Sequence, residues 1–321
     1  MEKMLVVGAS GLLGHDVCHL LKNAFEVTGT YRAHPFEEEG VEAVRMDLGA
    51  AEDIEAVVRR VRPAVLLMCA AMTGVDACEE APQQADELNH RAVLRVVRAL
   101  DGLPTKLVHV STDYVFPGTQ SRPYLEVDPT GPRSVYGRTK LLGEGAALSR
   151  RGSLVLRISS VWGPSPREGR DSFATWVVTN LRKGKPVKLF SDQRVSPTYT
   201  GAFAMLIPRI LTADLKGIYH LASRDCLSRL ETGRVIAEIF DLEPNLIEPV
   251  SMAAAGLKAT RPAMSCLSTG KIEHALEADL NSYADDVSSF YARTEKDAQT
   301  IESRGYKREG SHSGGRDRKP T

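Results

Sequence analysis

A tyrosine stands four places before a lysine in "YGRTK" at 136–140, and no other pair in this sequence is better suited to moving a proton. The following "LLGEGAALSR" reads as helix, and residues i and i+4 share one face of a helix. A free phenol has a pKa of about 10 and exchanges protons poorly at neutral pH. An adjacent ammonium favours the phenolate and brings the group toward the working range. The pair alone decides nothing. With 9 tyrosines in 321 residues, a Tyr-x-x-x-Lys match also arises by chance, so its meaning depends on its surroundings.

A second constellation lies at the start of the chain. Gly8, Gly11 and Gly14 form G-x-x-G-x-x-G between an apolar run and an amphipathic stretch. Glycines at a strand-to-helix turn let backbone N–H groups approach a pyrophosphate at the helix N-terminus. The spacing departs from the G-x-G-x-x-G of many dehydrogenases, and a simple tight turn is the competing reading. The next strand should end near the adenosine ribose. It ends in Tyr31-Arg32, with no acid before Glu37. An acid there would bind a free 2′-hydroxyl, whereas an arginine suits a 2′-phosphate. NADPH is therefore the expected cofactor, with NADH as the alternative. Arg32 as a solvated loop residue is the competing reading.

The elements that must position these groups alternate. Strands are expected at "MLVVG" (4–8), "FEVTGTYR" (25–32), "AVRMDL" (43–48), "AVLLMCA" (64–70), "KLVHVS" (106–111) and "SLVLRIS" (153–159). Between them lie helical patterns at "GHDVCHLLKNA", "EDIEAVVRRVRP", roughly 81 to 100, and behind Tyr136. Continuous apolar strands separated by helices imply a parallel sheet covered on both faces. Beyond about 163 the rhythm loosens. The helix "FATWVVTNLRKGK", the strand-like "VKLF" and "GIYHLA", the loop "SDQRVSPT" and the helix "SRLETGRVIAEIF" follow. From 292 the chain is charged and nearly free of apolar residues, so 292–321 reads as a disordered tail.

Composition narrows the function classes. The 41 basic and 41 acidic side chains cancel, which removes the electrostatic case for a nucleic-acid or membrane-surface partner. No apolar run approaches a membrane span, and no signal-peptide pattern opens the chain. Cys18, Cys69, Cys78, Cys226 and Cys266 are odd in number, scattered and without a CxxC, which points to a reducing cytoplasm. His15, Cys18 and His19 share the first helix, but they lack a ligand pattern for a metal and read as packing or surface.

Together the glycine loop and the later Tyr-Lys pair resemble the extended short-chain dehydrogenase/reductase superfamily, and within it the dTDP-4-dehydrorhamnose reductase family. The stretches that carry the resemblance reach to about 275. "GASGLLG" resembles the cofactor loop and implies that Ser10, Leu12 and Leu13 join its glycines at the cofactor. "DL" (Asp47, Leu48) resembles the pair at the adenine. "RPAVLLMCAAMTGVDACEEAP" resembles a cofactor-lining segment and implies roles for Cys69, Ala70, Ala71 and Thr73. Asn89 in "ELNHRAV" matches an asparagine associated with the proton relay. "VHVSTDYVFPGT" and "YLEVDPTGPRSVYGRTKLLGE" are the most specific stretches, and "RPAMSCLSTGKI" resembles a late segment whose arginine lies near the sugar-nucleotide pyrophosphate.

What the resemblance implies is concrete. The fold is α/β, a doubly wound parallel Rossmann sheet with a small C-terminal substrate-binding lobe. Residues 1–163 form the NADP-binding domain, completed by about 186–222, and 164–291 form mainly the substrate lobe. Tyr136, Lys140 and Thr112 are the catalytic set: Tyr136 protonates an alkoxide, Lys140 also holds the nicotinamide ribose, and Thr112 polarises the carbonyl. Asp113, Tyr114, Phe116, Gln193 and Arg261 are the substrate contacts, with Pro197 and Thr198 in a loop closing over the sugar nucleotide; packing is the equal reading for Tyr114 and Phe116, and a surface salt bridge the competing one for Arg261. Ser160 stands where bacterial members often carry a tryptophan, which leaves the sugar open. The implied reaction is NADPH-dependent reduction of the 4-keto group of a nucleotide-activated 6-deoxy sugar, dTDP-4-dehydrorhamnose first. A related epimerase or 4-ketoreductase is one alternative. The other is a non-catalytic NADP-binding subunit like the regulatory beta subunit of methionine adenosyltransferase, which would need a partner enzyme. A homodimer is compatible with each.

Overall fold

The structure, a computed structural model, describes residues 1–166 and 171–309. Its centre is a seven-stranded sheet of β1 (Lys3–Val7), β2 (Glu26–Tyr31), β3 (Glu42–Arg45), β4 (Val65–Met68), β5 (Lys106–Thr112), β6 (Leu154–Ile158) and β11 (Gly217–His220). The order across the sheet is β11-β6-β5-β4-β1-β2-β3, and every pairing is parallel. The chain winds outward from β1 to β3, then returns to β4 on the other side of β1. That reversal opens a crevice over the C-terminal ends of β1 and β4, where doubly wound sheets bind ligands.

Alternation within the strands explains the two covered faces. Met4, Val6, Val65 and Leu67 enter one core with α1 (Leu12–Leu21) and, later in the chain, α8 (Thr200–Thr212) and α10 (Gly270–Leu276). Leu5, Val7, Leu66 and Met68 enter the other with α2 (Ala51–Val61), α5 (Ala92–Ala99) and α6 (Val135–Leu148). Between β4 and α5 lie α3 (Val75–Glu80), α4 (Pro82–Asp86) and one π-helical turn, Glu87–Arg91. The single long helix expected at 81–100 is thus broken by that turn, and Asn89 is the turn's buried residue.

A third core surrounds Trp162, Tyr199, Tyr283 and Phe290. It is built from α7 (Phe173–Arg182), α9 (Arg229–Ile239), α11 (Tyr283–Glu309) and the parallel pair β8 (Val187–Phe190) and β13 (Ile247–Val250). Four two-residue strands pair beside it: β7 (Val161–Trp162) with β10 (Thr198–Tyr199), and β9 (Arg194–Val195) with β12 (Leu227–Ser228).

Helix α8, in a stretch to which the sequence reading assigns no element, carries Pro208 inside it. Burial of Phe203, Ala204, Ile207 and Ile210 in the core shared with α1 outweighs the one backbone bond that proline removes. The segment 292–309 is helical, not a disordered tail. It continues α11, which is anchored by Tyr283, Val287 and Phe290 and by an ion pair from Arg293 to the buried Asp16 of α1 at 2.6 Å. Residues 310–321 lie outside the described residues. Finally, Cys226 and Cys266 form a disulfide across 40 residues. Nothing in their spacing signals that bridge, and the reading of scattered cysteines in a reducing cytoplasm has no place for it. Among the described residues, no helix is long and apolar enough to cross a membrane.

Candidate active site

The crevice is a cavity of about 880 Å³ running from the glycine loop to the segment between β6 and α9, toward the upper end of the ~300–1,000 Å³ typical of ligand sites. At one end the chain leaves β1 through Gly8, whose φ of +91° belongs to glycine. A Cβ there would also lie 2.8 Å from the Ala70 backbone, so β1 and the segment after β4 touch at this point. The Gly8 N–H donates to Thr30 Oγ1 at 3.2 Å and Ala9 N–H to the Thr30 carbonyl at 2.8 Å, tying the loop to β2. Helix α1 then starts at Gly11 with no side-chain cap and no acid in its first turn. Its first N–H groups and positive dipole end are therefore available to an anion. At the end of β2, Arg32 lines the cavity and is exposed. This cradle fits a dinucleotide diphosphate, with a cation where a 2′-phosphate would sit.

The other end is set by α6. Ser134 caps it by accepting from Gly137 N–H at 3.1 Å, and Val135 N–H donates to Glu79 Oε1 at 2.7 Å. Gly137 is needed because the Tyr114 carbonyl occupies the place its side chain would take. Further along, Arg157 donates to both oxygens of Glu144, at 2.8 and 2.7 Å, and Ser111 Oγ donates to Glu144 Oε1 at 2.6 Å. This buried network locks α6 against β5 and β6, and with it the register of Tyr136 and Lys140.

Tyr136, Lys140 and Thr112 all line the cavity. The hydroxyls of Tyr136 and Thr112 are hydrogen-bonded, and the Tyr136 ring meets Tyr114 edge-on at 5.6 Å. Lys140 Nζ donates to the Val110 carbonyl at 2.6 Å. The electrostatics reverse one expectation. Burial pushes the Tyr136 phenol up, and Asp113 and Tyr114 add to that, while the bond to Thr112 opposes it. Lys140 does not counter the burial, because it suffers the same desolvation: its own pKa falls to about 8 despite help from Glu144. Without a ligand the pair is a firmly protonated phenol beside a strained ammonium, not an activated phenolate.

Thr112 Oγ1 donates to Asp113 Oδ1 at 3.0 Å and accepts from Tyr114 N–H at 3.2 Å. Asp113 is buried and also accepts from Ser159 Oγ at 2.8 Å and from Ser265 Oγ; burial raises its pKa against those bonds. Asp113 thus holds the Thr112 hydroxyl in place, and that proton must turn from the carboxylate before it can serve a substrate oxygen.

The remaining expected residues divide. Gly8, Ser10, Gly11, Leu12, Leu13, Gly14, Tyr31, Arg32, Leu48, Cys69, Ala70, Ala71, Thr73, Asp113 and Tyr114 line the cavity. Asp47, Asn89, Phe116, Gln193 and Arg261 do not. Asp47 Oδ1 accepts from Gly49 N–H at 2.9 Å, closing its own turn. Asn89 is spent on Met72, accepting from its N–H at 2.7 Å and donating to its carbonyl, and on Thr139 of α6. Phe116 stacks on Tyr124 at 4.2 Å inside a small separate core. Gln193 donates to Tyr114 Oη at 3.3 Å from behind. Arg261 is paired with Asp76, 3.2 and 3.0 Å to its two oxygens. Ser160, Phe173, Val195 and Arg229 also line the cavity. Of these, the sequence singles out only Ser160. Arg229 lies in a helical pattern with nothing in its neighbours to mark it.

A family model described as RmlD substrate binding domain matches residues 1–296. A probable low-salt glycan biosynthesis reductase of Haloferax volcanii is 32% identical over 89% of this chain and 96% of its own. A dTDP-4-dehydrorhamnose reductase of Streptomyces griseus is 30% identical over 83% of this chain and 85% of its own. The crystal structure of a hypothetical dTDP-4-dehydrorhamnose reductase from Sulfolobus tokodaii superposes with a TM-score of 0.79 at 33% identity, covering 88% of this chain and 98% of that one.

Proposed function

The chain belongs to the RmlD substrate binding domain family, and on that premise we propose that it is an NADPH-dependent reductase of the 4-keto group of a nucleotide-activated 6-deoxy sugar, dTDP-4-dehydrorhamnose first. The observation that carries the reading is the convergence of Tyr136, Thr112 and Lys140 in the same cavity that begins at the glycine loop. A dinucleotide and a second, sugar-sized ligand can share that space.

When bound, the nicotinamide supplies the hydride. The protein's own part is proton supply and positioning. Tyr136 carries its proton throughout the neutral range because burial holds it there, so it acts as the acid that completes an alkoxide. Thr112, aligned by Asp113, turns its hydroxyl to the same oxygen and spreads its charge. Lys140, in the same cavity, would hold a ribose hydroxyl of the bound cofactor. Tyr114, Val195 and Phe173 line the same cavity, and their apolar surface disfavours water around the reacting carbon.

Supplying purified protein with NADPH and a dTDP-4-keto-6-deoxy sugar made in situ tests the reading, followed at the nicotinamide absorbance. Stoichiometric NADPH loss supports it. Retained NAD with no net oxidation points to an epimerase, and cofactor binding without turnover points to a regulatory subunit.

The cofactor preference has its own test. Replacing Arg32 with alanine raises the KM for NADPH by about 10-fold through loss of one exposed charge-assisted contact and leaves the KM for NADH unchanged. An equal rise for both cofactors would show that Arg32 does not read the 2′-phosphate.

A further inference from the structure

Arg229 is the first residue of α9 and lines the cavity. Its guanidinium donates to Ser160 Oγ and lies over the Phe173 ring at 5.1 Å. Ser160 itself holds a left-handed backbone conformation, φ +45°, rare for a residue with a side chain. Among the described residues no carboxylate lies within ion-pair distance of Arg229. Asp113 is the carboxylate whose charge acts on it, and that carboxylate is already engaged by Thr112, Ser159 and Ser265. The helix beneath cannot neutralise an incoming anion unaided. Its N-terminus is closed by a capping box between Ser228 and Glu231, which satisfies the end and adds a negative charge.

A desolvated guanidinium without a counter-charge is costly, and such groups are kept where an anion arrives to pair with them. Arg261, the arginine that the sequence marks for a pyrophosphate, has its fork filled by Asp76 and stands outside the cavity lining. Arg229 has no carboxylate on its fork, lines the cavity, and is within electrostatic reach of Asp113 and Tyr114, next to Thr112. A planar guanidinium stacked on an aromatic ring is a pre-oriented receptor for two oxygens of a phosphoryl group.

We propose that Arg229, steadied by Ser160 and Phe173, seats a phosphoryl oxygen pair of the substrate's diphosphate, an assignment that rests on the nucleotide-sugar reading above. The sugar then lies between Arg229 and Tyr136. The side chain acts on binding and orientation, not on proton transfer, and its signature is a split between KM and kcat.

The full-length protein saturated with NADP is titrated calorimetrically with thymidine diphosphate, with inorganic pyrophosphate as a probe lacking the nucleoside. Arg229→Met weakens both ligands by about 10- to 100-fold, the loss expected for a charge-assisted pair. Arg229→Lys recovers part of the affinity because it keeps the charge without the fork. NADP affinity is unchanged in each, which shows that the variants are folded. In turnover, Arg229→Met raises the KM for the nucleotide sugar by a similar factor and lowers kcat by no more than about 3-fold. Unchanged diphosphate affinity in Arg229→Met overturns the assignment while leaving the reductase reading intact. Wild-type protein that binds neither diphosphate overturns it outright. Diphosphate binding that depends on Arg229 in a protein that reduces no 4-keto sugar sustains the assignment and removes the reductase reading.

Discussion

Replacing Tyr136 with phenylalanine lowers turnover by about 10³-fold or more, within the range that a positioned general acid contributes, and leaves NADPH affinity within a factor of about three. The substitution removes one oxygen. The ring keeps its edge-on contact with Tyr114 and its place on α6, whose position is fixed by Ser134, Gly137 and the Glu144–Arg157 network. Folding is therefore spared, and the loss falls on proton delivery. Because burial raises the phenol's pKa, Tyr136 stays protonated from acid to mildly alkaline pH, and the reductive rate has no Tyr136 limb below that range. Single-turnover NADPH oxidation by wild type and variant, across pH 6 to 9, measures both points. A variant that keeps more than about a tenth of the wild-type rate assigns the proton to another donor. An activity or partner effect of the protein that is indifferent to Tyr136→Phe points to the regulatory subunit instead.

How much of this was legible in the sequence follows from what each feature depends on. The parallel sheet was legible because strands buried on both faces read as continuous apolar runs, and Met4–Val7 and Val65–Met68 are such runs. The glycine loop and the Tyr-Lys pair were legible because local spacing carries their chemistry. Features that depend on partners distant in sequence were not. Arg229 and Arg261 have the same side chain, and only the placement of Asp76 and Ser160 separates a fork filled by a carboxylate from one met by a single hydroxyl. Phe116 and Tyr114 lie two residues apart, yet one stacks in a core with Tyr124 and the other lines the cavity. The Cys226–Cys266 bridge and the Arg293–Asp16 pair join segments 40 and 277 residues apart, and no local pattern encodes them. The direction of the Tyr136 shift was missed for a related reason. The spacing of a pair shows that two charges meet, but not how deeply both are buried.

Lys140 carries the cost of that burial, so Lys140→Met trades activity for stability. The ammonium has one carbonyl partner, Val110, and the nearest carboxylate, Glu144, is committed to Arg157 and Ser111. Its pKa falls from an ordinary 10.5 to about 8, about 2.5 units, which at 1.36 kcal/mol per unit disfavours the folded ammonium by roughly 3 kcal/mol. Methionine fills the same channel without the charge. The gain is reduced by the bond to Val110 that is lost, about 1 kcal/mol or more, leaving a net stabilisation of about 1–2 kcal/mol. The pH dependence fixes the cause. Below about pH 8 the folded and unfolded chains both carry the proton and the wild type bears the full penalty. Between about 8 and 10.5 only the unfolded chain holds it, so wild-type stability rises with pH relative to the variant and the difference closes. Turnover of Lys140→Met falls by about 10²- to 10³-fold, as the field on Tyr136 and the ribose contact are both removed. Denaturant titrations at pH 7 and pH 10, beside NADPH oxidation rates, measure the two halves together. A stability difference that does not change between pH 7 and pH 10 would mean that the folded and unfolded chains hold the Lys140 proton equally, so burial does not depress its pKa and the charge is not the source of the gain.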